Sequence, residues 1–145
     1  MEQGSESLKH RELTEKIIGS FYDVYNELGH GFLESVYQQA LTVALNAAGM
    51  KVEREVPISV RFRGHTVGDF RADLLVEGCV LLELKAARSI DQAHEKQLLN
   101  YLRATDVEVG LLLNFGVKPQ FRGWFMEMKE RKSALISVNP RQNRG

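Results

Sequence analysis

Residues 80–86, Val-Leu-Leu-Glu-Leu-Lys-Ala, are apolar enough to form a strand buried on both faces, and such a strand does not carry charge without a reason. An ionised group in a low-dielectric interior costs roughly several kcal/mol unless it is paired or bound to a metal. Glu83 and Lys85 interrupt the run at alternate positions, so their side chains leave the same face of the strand. The preceding segment has its own intruder, Asp73, in Phe-Arg-Ala-Asp-Leu-Leu-Val. Two readings fit these three residues. One is a buried ion pair between a carboxylate and Lys85, which the Glu-x-Lys spacing alone favours. The other is a metal site, with two carboxylates as hard oxygen ligands for Mg²⁺ and an ammonium beside them to orient water or stabilise phosphate charge.

The elements that must position these residues can be read from the change of period along the chain. Residues 6–28 are a helix, with Leu13, Ile17, Phe21, Val24, Tyr25 and Leu28 recurring at spacings of three and four. Gly29-His30-Gly31 stops it, and a second helix runs over 33–48 with Gly49 as its cap. The pattern then turns to alternation. Strands are expected at 52–62, 66–76 and 79–85, with Pro57 suited to an edge rather than a central position. Ser89 or Asp91 caps a third helix reaching about residue 104. A buried strand follows at 107–115, and a short final one at 121–126. The order α-α-β-β-β-α-β describes an α/β fold, a mixed sheet flanked by helices.

Beyond spacing, the sequence is recognisable. Asp73, nine residues, then Glu83-Leu84-Lys85 resembles the D…(D/E)-x-K signature of the PD-(D/E)XK nuclease superfamily, with Ala72 in place of the proline. Residues 31–37, Gly-Phe-Leu-Glu-Ser-Val-Tyr, reproduce the GxxExxY motif that names a small family within it. Residues 97–101, Gln-Leu-Leu-Asn-Tyr, look like the QxxxY motif of the exonuclease-like branch. The likeness runs nearly unbroken from Leu28 to Phe115.

This resemblance implies a restriction-endonuclease-like sheet and a metal-dependent nuclease acting on nucleic acid, DNA ahead of RNA. It implies that Asp73, Glu83 and the main-chain carbonyl of Leu84 hold Mg²⁺ or Mn²⁺. Lys85 would position or help deprotonate the attacking water. Glu34 would lean over the sheet to support the metal or its water, and Gln97 and Tyr101 would meet a substrate phosphate or orient Lys85. His30 stands where some relatives place a metal-binding histidine. Each of these has a plainer reading from the residues alone. Glu34 suits the first turn of a helix, where the macrodipole favours a carboxylate. Tyr37 suits the core with its hydroxyl held by a partner, and Gln97 and Tyr101 lie on one helix face beside the stripe of Leu98, Leu99 and Leu102.

Composition sets the outer limits. The chain has 145 residues, 43% hydrophobic and 26% charged, which suits one globular domain over 1–145. No apolar run approaches the roughly 20 residues that span a bilayer, so a cytoplasmic protein is expected. Cys79 is the only cysteine, which excludes an intramolecular disulfide and a multi-thiolate zinc site. Nineteen basic residues balance nineteen acidic ones, leaving no surplus to bind phosphates. The tail, 127–145, is locally basic. Two other functions stay open, a nuclease fold that binds without cutting within a larger assembly, which neutrality favours, and a structural module whose Asp-Glu-Lys cluster is a buried ion network. The small size of the domain against a duplex points to a homodimer.

Strand parity adds a geometric condition. A two-residue hairpin at Glu77-Gly78 would pair Val76 with Cys79 and send Asp73 and Glu83 to opposite faces. A shared site needs an odd loop or a bulge. A three-residue loop, Val76-Glu77-Gly78 with Gly78 left-handed, would pair Leu75 with Cys79 and Asp73 with Leu81. The expectation is positive φ at Gly78 and carboxylates within about 6 Å, the reach of one hydrated ion.

Overall fold

The computed structural model of the protein describes residues 2–127, with side chains from residue 10 onward; the basic tail falls, from residue 128, outside them. Helix α1 (Glu2–Leu28) is followed by α2 (Glu34–Ala47), then by strands β1 (Val52–Phe62), β2 (His65–Val76) and β3 (Val80–Lys85). Helix α3 (Gln92–Arg103) crosses to β4 (Val109–Phe115), and β5 (Pro119–Phe125) closes the sheet. The strands lie in the order β1-β2-β3-β4-β5. All neighbours are antiparallel except β3 and β4, which are parallel. The α3 crossover is what a parallel neighbour requires, because a hairpin cannot return the chain in the same direction. This is the restriction-endonuclease-like mixed sheet expected, with element limits shifted by a few residues at most.

Two apolar layers hold the sheet. On one face Ile17, Phe21 and Val24 of α1 and Tyr37, Leu41 and Leu45 of α2 pack on Leu74, Val76, Val80, Leu82, Leu84 and the odd-numbered positions of β4. On the other, Leu98, Tyr101 and Leu102 of α3 pack on Ile58, Ala72, Leu81 and Leu112. β3 and β4 are covered on both faces, which explains their unbroken apolar sequence.

The β2–β3 connection corrects the loop expected from sequence. Val76 pairs with Val80 and Leu75 with Leu81, so the loop is Glu77-Gly78-Cys79 rather than Val76-Glu77-Gly78. Gly78 is left-handed, with φ 64°, and Glu77 is too, with φ 54°. The Cys79 N–H donates to the Val76 carbonyl at 2.9 Å. Burial explains the difference. A loop containing Val76 would expose it, whereas the observed register leaves Val76 fully buried beside Val80 and secures roughly 2 kcal/mol for that valine. The loop is odd in either case, so the parity that the site needs survives.

Two polar anchors fix the ends of the elements nearest the site. The Tyr37 hydroxyl accepts from the Phe32 N–H at 3.3 Å and donates to the Gly29 carbonyl at 2.6 Å, pinning the α1–α2 turn. Its ring stacks on Phe115 at 4.2 Å. Asn114 is fully buried on β4. Its Oδ1 accepts from the Ala87 N–H and its Nδ2 donates to the Ala87 carbonyl, both at 2.9 Å. That pair holds the chain just beyond Lys85, and Gly116 lies so close that a Cβ there would stand 2.3 Å from the same carbonyl. Replacing Asn114 by leucine keeps the volume and removes both partners of Ala87. The expected loss is about 2 kcal/mol in urea denaturation; no loss would mean that water substitutes freely and the anchor is idle.

Candidate functional site

β2 and β3 form a ladder over only three pairs, ending at Leu74 and Leu82. One residue further, Asp73 and Glu83 fall opposite each other, and there side chains replace the ladder. The Asp73 N–H donates to Glu83 Oε1 at 3.1 Å, and the Leu84 N–H donates to Asp73 Oδ2 at 2.7 Å. Each carboxylate therefore caps the backbone of the other strand at the point where the two strands part. The alternation of β2 also breaks here. Ala72 and Leu74 would share a face in a regular strand, yet Ala72 packs on the α3 side and Leu74 on the α1–α2 side.

Burial and like charge act together on the two acids. Glu83 is only 5% exposed. Desolvation, then the charge of Asp73, pushes its pKa up to about 8, against weaker opposition from the Asp73 N–H and Lys85. Desolvation also raises the Asp73 carboxyl above its ordinary range, with Glu34 and Glu55 adding to the rise while the Leu84 N–H and Lys85 oppose it. Lys85 follows Glu83 at the alternate position and is half-buried. Among the described residues no ion pair joins Lys85 to Asp73 or Glu83. The buried ion pair that the spacing favoured is not what the chain forms.

Glu34 and Tyr101 also approach this point. Glu34, in the exposed first turn of α2, is close enough to raise both acids. On α3, Gln97 Nε2 donates to the Tyr101 hydroxyl at 3.0 Å. Desolvation raises the Tyr101 hydroxyl, and the charges of Glu83 and Asp73 add to it. His94 has a different task. It completes a capping box with Asp91, whose Oδ1 accepts from the His94 N–H at 3.0 Å. His30 is exposed in the α1–α2 turn.

Two participants were missed. Gln38, buried on α2, donates through Nε2 to Glu55 Oε2 at 2.6 Å and to Asp73 Oδ1 and its carbonyl at 3.4 Å. A signal for it existed, because Gln38 lies four residues after Glu34 and so on the same helix face. Glu55 gave none. It sits mid-strand on β1 with φ 52°, a conformation that non-glycine residues rarely adopt. Its place beside Asp73 follows from the β1–β2 register, which pairs Arg54 with Leu74 and Val56 with Ala72.

A metal fits this arrangement on the chemistry of its donors. Asp73 and Glu83 are desolvated oxygen donors of like charge without an ion-pair partner among the described residues, a deficit of positive charge that a divalent cation would fill. Among the described residues no group of three or more His, Cys, Asp and Glu side chains forms a ready-made cage. Magnesium does not need one, since it is commonly held by one or two carboxylates and keeps several waters.

The family model described as the PD-(D/E)XK nuclease superfamily matches residues 11–124. No curated protein matches the chain. Among solved structures, the crystal structure of SSO0001 is similar at 17% identity, covering 72% of this chain and 59% of that one, with a TM-score of 0.48. The chain thus spans less than two thirds of that protein's length.

The raised Glu83 carboxyl has a consequence for stability. From pH 4.5 to pH 8 the folded protein retains a proton that the unfolded chain has released. The metal-free protein should therefore lose stability as pH rises through that window and level off above it, with a slope of at most about 1.4 kcal/mol per pH unit for one proton. Glu83→Gln should remove most of that slope, as read by thermal melts in chelator. A wild-type melting temperature that tracks the variant's across the window would show Glu83 ionised in the fold.

Proposed function

The chain belongs to the PD-(D/E)XK nuclease superfamily, and we propose that it is a divalent-cation-dependent nuclease of the GxxExxY type hydrolysing phosphodiester bonds, with DNA the preferred substrate and the whole chain acting as one domain. The observation that carries this reading is the crossed pair of carboxylates, Asp73 and Glu83, desolvated and, among the described residues, without an ion-pair partner where β2 and β3 part. Asp73 and Glu83 would hold Mg²⁺ or Mn²⁺. The Leu84 carbonyl suits a third ligand, because in a strand it leaves the same edge as the Leu84 N–H, which already reaches Asp73. When bound, the cation would acidify water and neutralise charge building on the phosphate.

The protein's own groups divide the remaining work. Lys85, on the strand face of Glu83, would orient the attacking water and donate to a non-bridging phosphate oxygen as negative charge develops there. Glu34 would hold a second water from the α2 side. Gln97 and Tyr101, already bonded to each other, would present amide and hydroxyl donors to the phosphate. Gln38 would keep Asp73 turned toward the opening by holding one of its carboxylate oxygens. The net charge of zero favours a second reading, a nuclease-fold subunit that binds nucleic acid within an assembly without cutting it. In either reading a homodimer would supply the surface that one small domain lacks.

A panel of single-stranded, double-stranded and branched DNA and RNA, incubated with Mg²⁺ or Mn²⁺, tests cleavage directly. Mn²⁺ should also stabilise the wild type, by about 2.7 kcal/mol at a hundredfold excess over its Kd, and Asp73→Asn should abolish that gain. Lys85→Ala should lose cleavage by at least about a hundredfold while keeping the Mn²⁺ shift. Gln97→Ala and Tyr101→Phe should be milder. Cleavage that survives Lys85→Ala, or a Mn²⁺ shift that survives Asp73→Asn, would overturn the assignment. Binding without cleavage in the wild type would select the second reading.

A further inference from the structure

β2 continues well past the end of β3. Among the described residues, those of β2 before Asp73 pair with β1 alone, so the chain from about residue 57 to residue 71 is a two-stranded ribbon reaching beyond the rest of the sheet. Phe70 stands on this ribbon three residues from Asp73, roughly 10 Å along the strand. Its partner Ile58 and its neighbour Ala72 both pack on the α3 side, and so does the Phe70 ring, whose centroid lies 5.7 Å from that of Tyr101. The ring is nonetheless 44% exposed. It is also supported from beneath: Gly68 lies under it, and a Cβ there would be 3.0 Å from Phe70 Cε2. An aromatic ring is thus held between a glycine and the tyrosine of the site, with part of its surface open to solvent.

The ribbon's charge differs from that of the whole chain. Between residues 57 and 71 it carries Arg61, Arg63 and Arg71, all exposed, against one carboxylate, Asp69, which accepts from the Ser59 hydroxyl at 3.1 Å. The chain as a whole is neutral. Arg61 bonds to Thr66 and Gly64, neither of them acidic, and Arg63 lies over the Phe62 ring. An aromatic platform on a ribbon that also carries cations, beside the candidate phosphodiester site, has the chemistry of a single-strand grip, in which bases stack on rings while the backbone follows the positive charge.

We propose that Phe70 is a stacking platform for an unpaired nucleobase of the substrate, with the arginines of the β1–β2 ribbon holding the backbone of the same strand. The proposal rests on the nuclease reading and adds to it a preference for single-stranded or splayed substrate. Within a duplex each base is already stacked on its neighbours, and one ring at the edge of a ribbon gains contact only with a base that has left the stack.

Anisotropy titrations of a labelled single-stranded DNA oligonucleotide and its blunt duplex, with Ca²⁺ replacing Mg²⁺, test this on the 145-residue protein. Phe70→Leu should weaken single-strand binding about tenfold and change duplex binding little. Phe70→Trp should retain it. Gly68→Ala is an independent probe, because its methyl displaces the movable end of the Phe70 ring rather than backbone; it should reproduce part of the loss with the melting temperature kept. Variants that bind like the wild type, or that weaken on both DNAs equally, would overturn the stacking role and leave the nuclease reading standing. A change of sedimentation coefficient in Phe70→Leu without a change in DNA binding would reassign the ring to contact between copies of the chain. A wild type that neither binds nor cleaves any nucleic acid would end both.

Discussion

Asp73 and Glu83 cap each other's strands, and much of the molecule's arrangement follows from that exchange. Two carboxylates side by side under cover of the sheet are electrostatically unfavourable, and burial raises both of their pKa values. What they gain in return is specific. The Asp73 and Leu84 N–H groups would be left without partners where the β2–β3 ladder stops, and each carboxylate takes one of them. A buried unsatisfied N–H costs about 1–3 kcal/mol, so the acids repair the very gap that makes room for them. The repair is incomplete, because a proton or a cation must still offset the like charge. A carboxylate pair left in that condition is poised to take up either.

The surrounding fold keeps the gap from closing. Asn114 fixes Ala87 and thereby the exit of β3. Tyr37, anchored to Gly29 and stacked on Phe115, sets the position of the α2 start, so that Glu34 and Gln38 come in from one side. The Asp91–His94 box fixes the start of α3, which brings Gln97 and Tyr101 in from the other. Asp73 is reachable from both because the face alternation of β2 breaks at that residue. Glu55 tolerates a left-handed φ on the neighbouring strand, at a cost of order 1–3 kcal/mol that ordinary strand packing does not require.

Much of this is legible in the sequence alone, and the exceptions share a cause. Periodicity located the helices and strands because each depends on neighbours a few residues away. Glu83 and Lys85 were conspicuous because charge in an apolar strand violates a local rule. Tyr37 was readable as a core residue with a tethered hydroxyl. The loop between β2 and β3 is misplaced because local turn chemistry favours 76–78, where only Gly78 needs a positive φ, and the tertiary burial of Val76 beside Val80 overrides it at the cost of a left-handed Glu77. Glu55 was invisible for the same reason. Nothing near it in sequence marks it, and its relation to Asp73 exists only once β1 and β2 are in register.

The neutral charge of the chain looks at first like evidence against a nucleic-acid partner, but the sum conceals an uneven distribution. Glu34, Glu55, Asp73 and Glu83 converge on one opening, opposed there by Lys85 and with Arg54 reaching Gln38 at its edge, while the adjoining ribbon carries three arginines and one acid. A phosphate approaching the metal-free opening meets repulsion there and attraction beside it. In the nuclease reading a divalent cation reverses the first without changing the second, so cation and nucleic acid would each favour the binding of the other, and by the same factor. In that reading neutrality is the sum of an acidic site that would take up a cation and a basic arm that would take up a strand. A chain with a uniform basic surplus would bind phosphates wherever they touched it. In the nuclease reading this one would concentrate its attraction on the ribbon beside the opening.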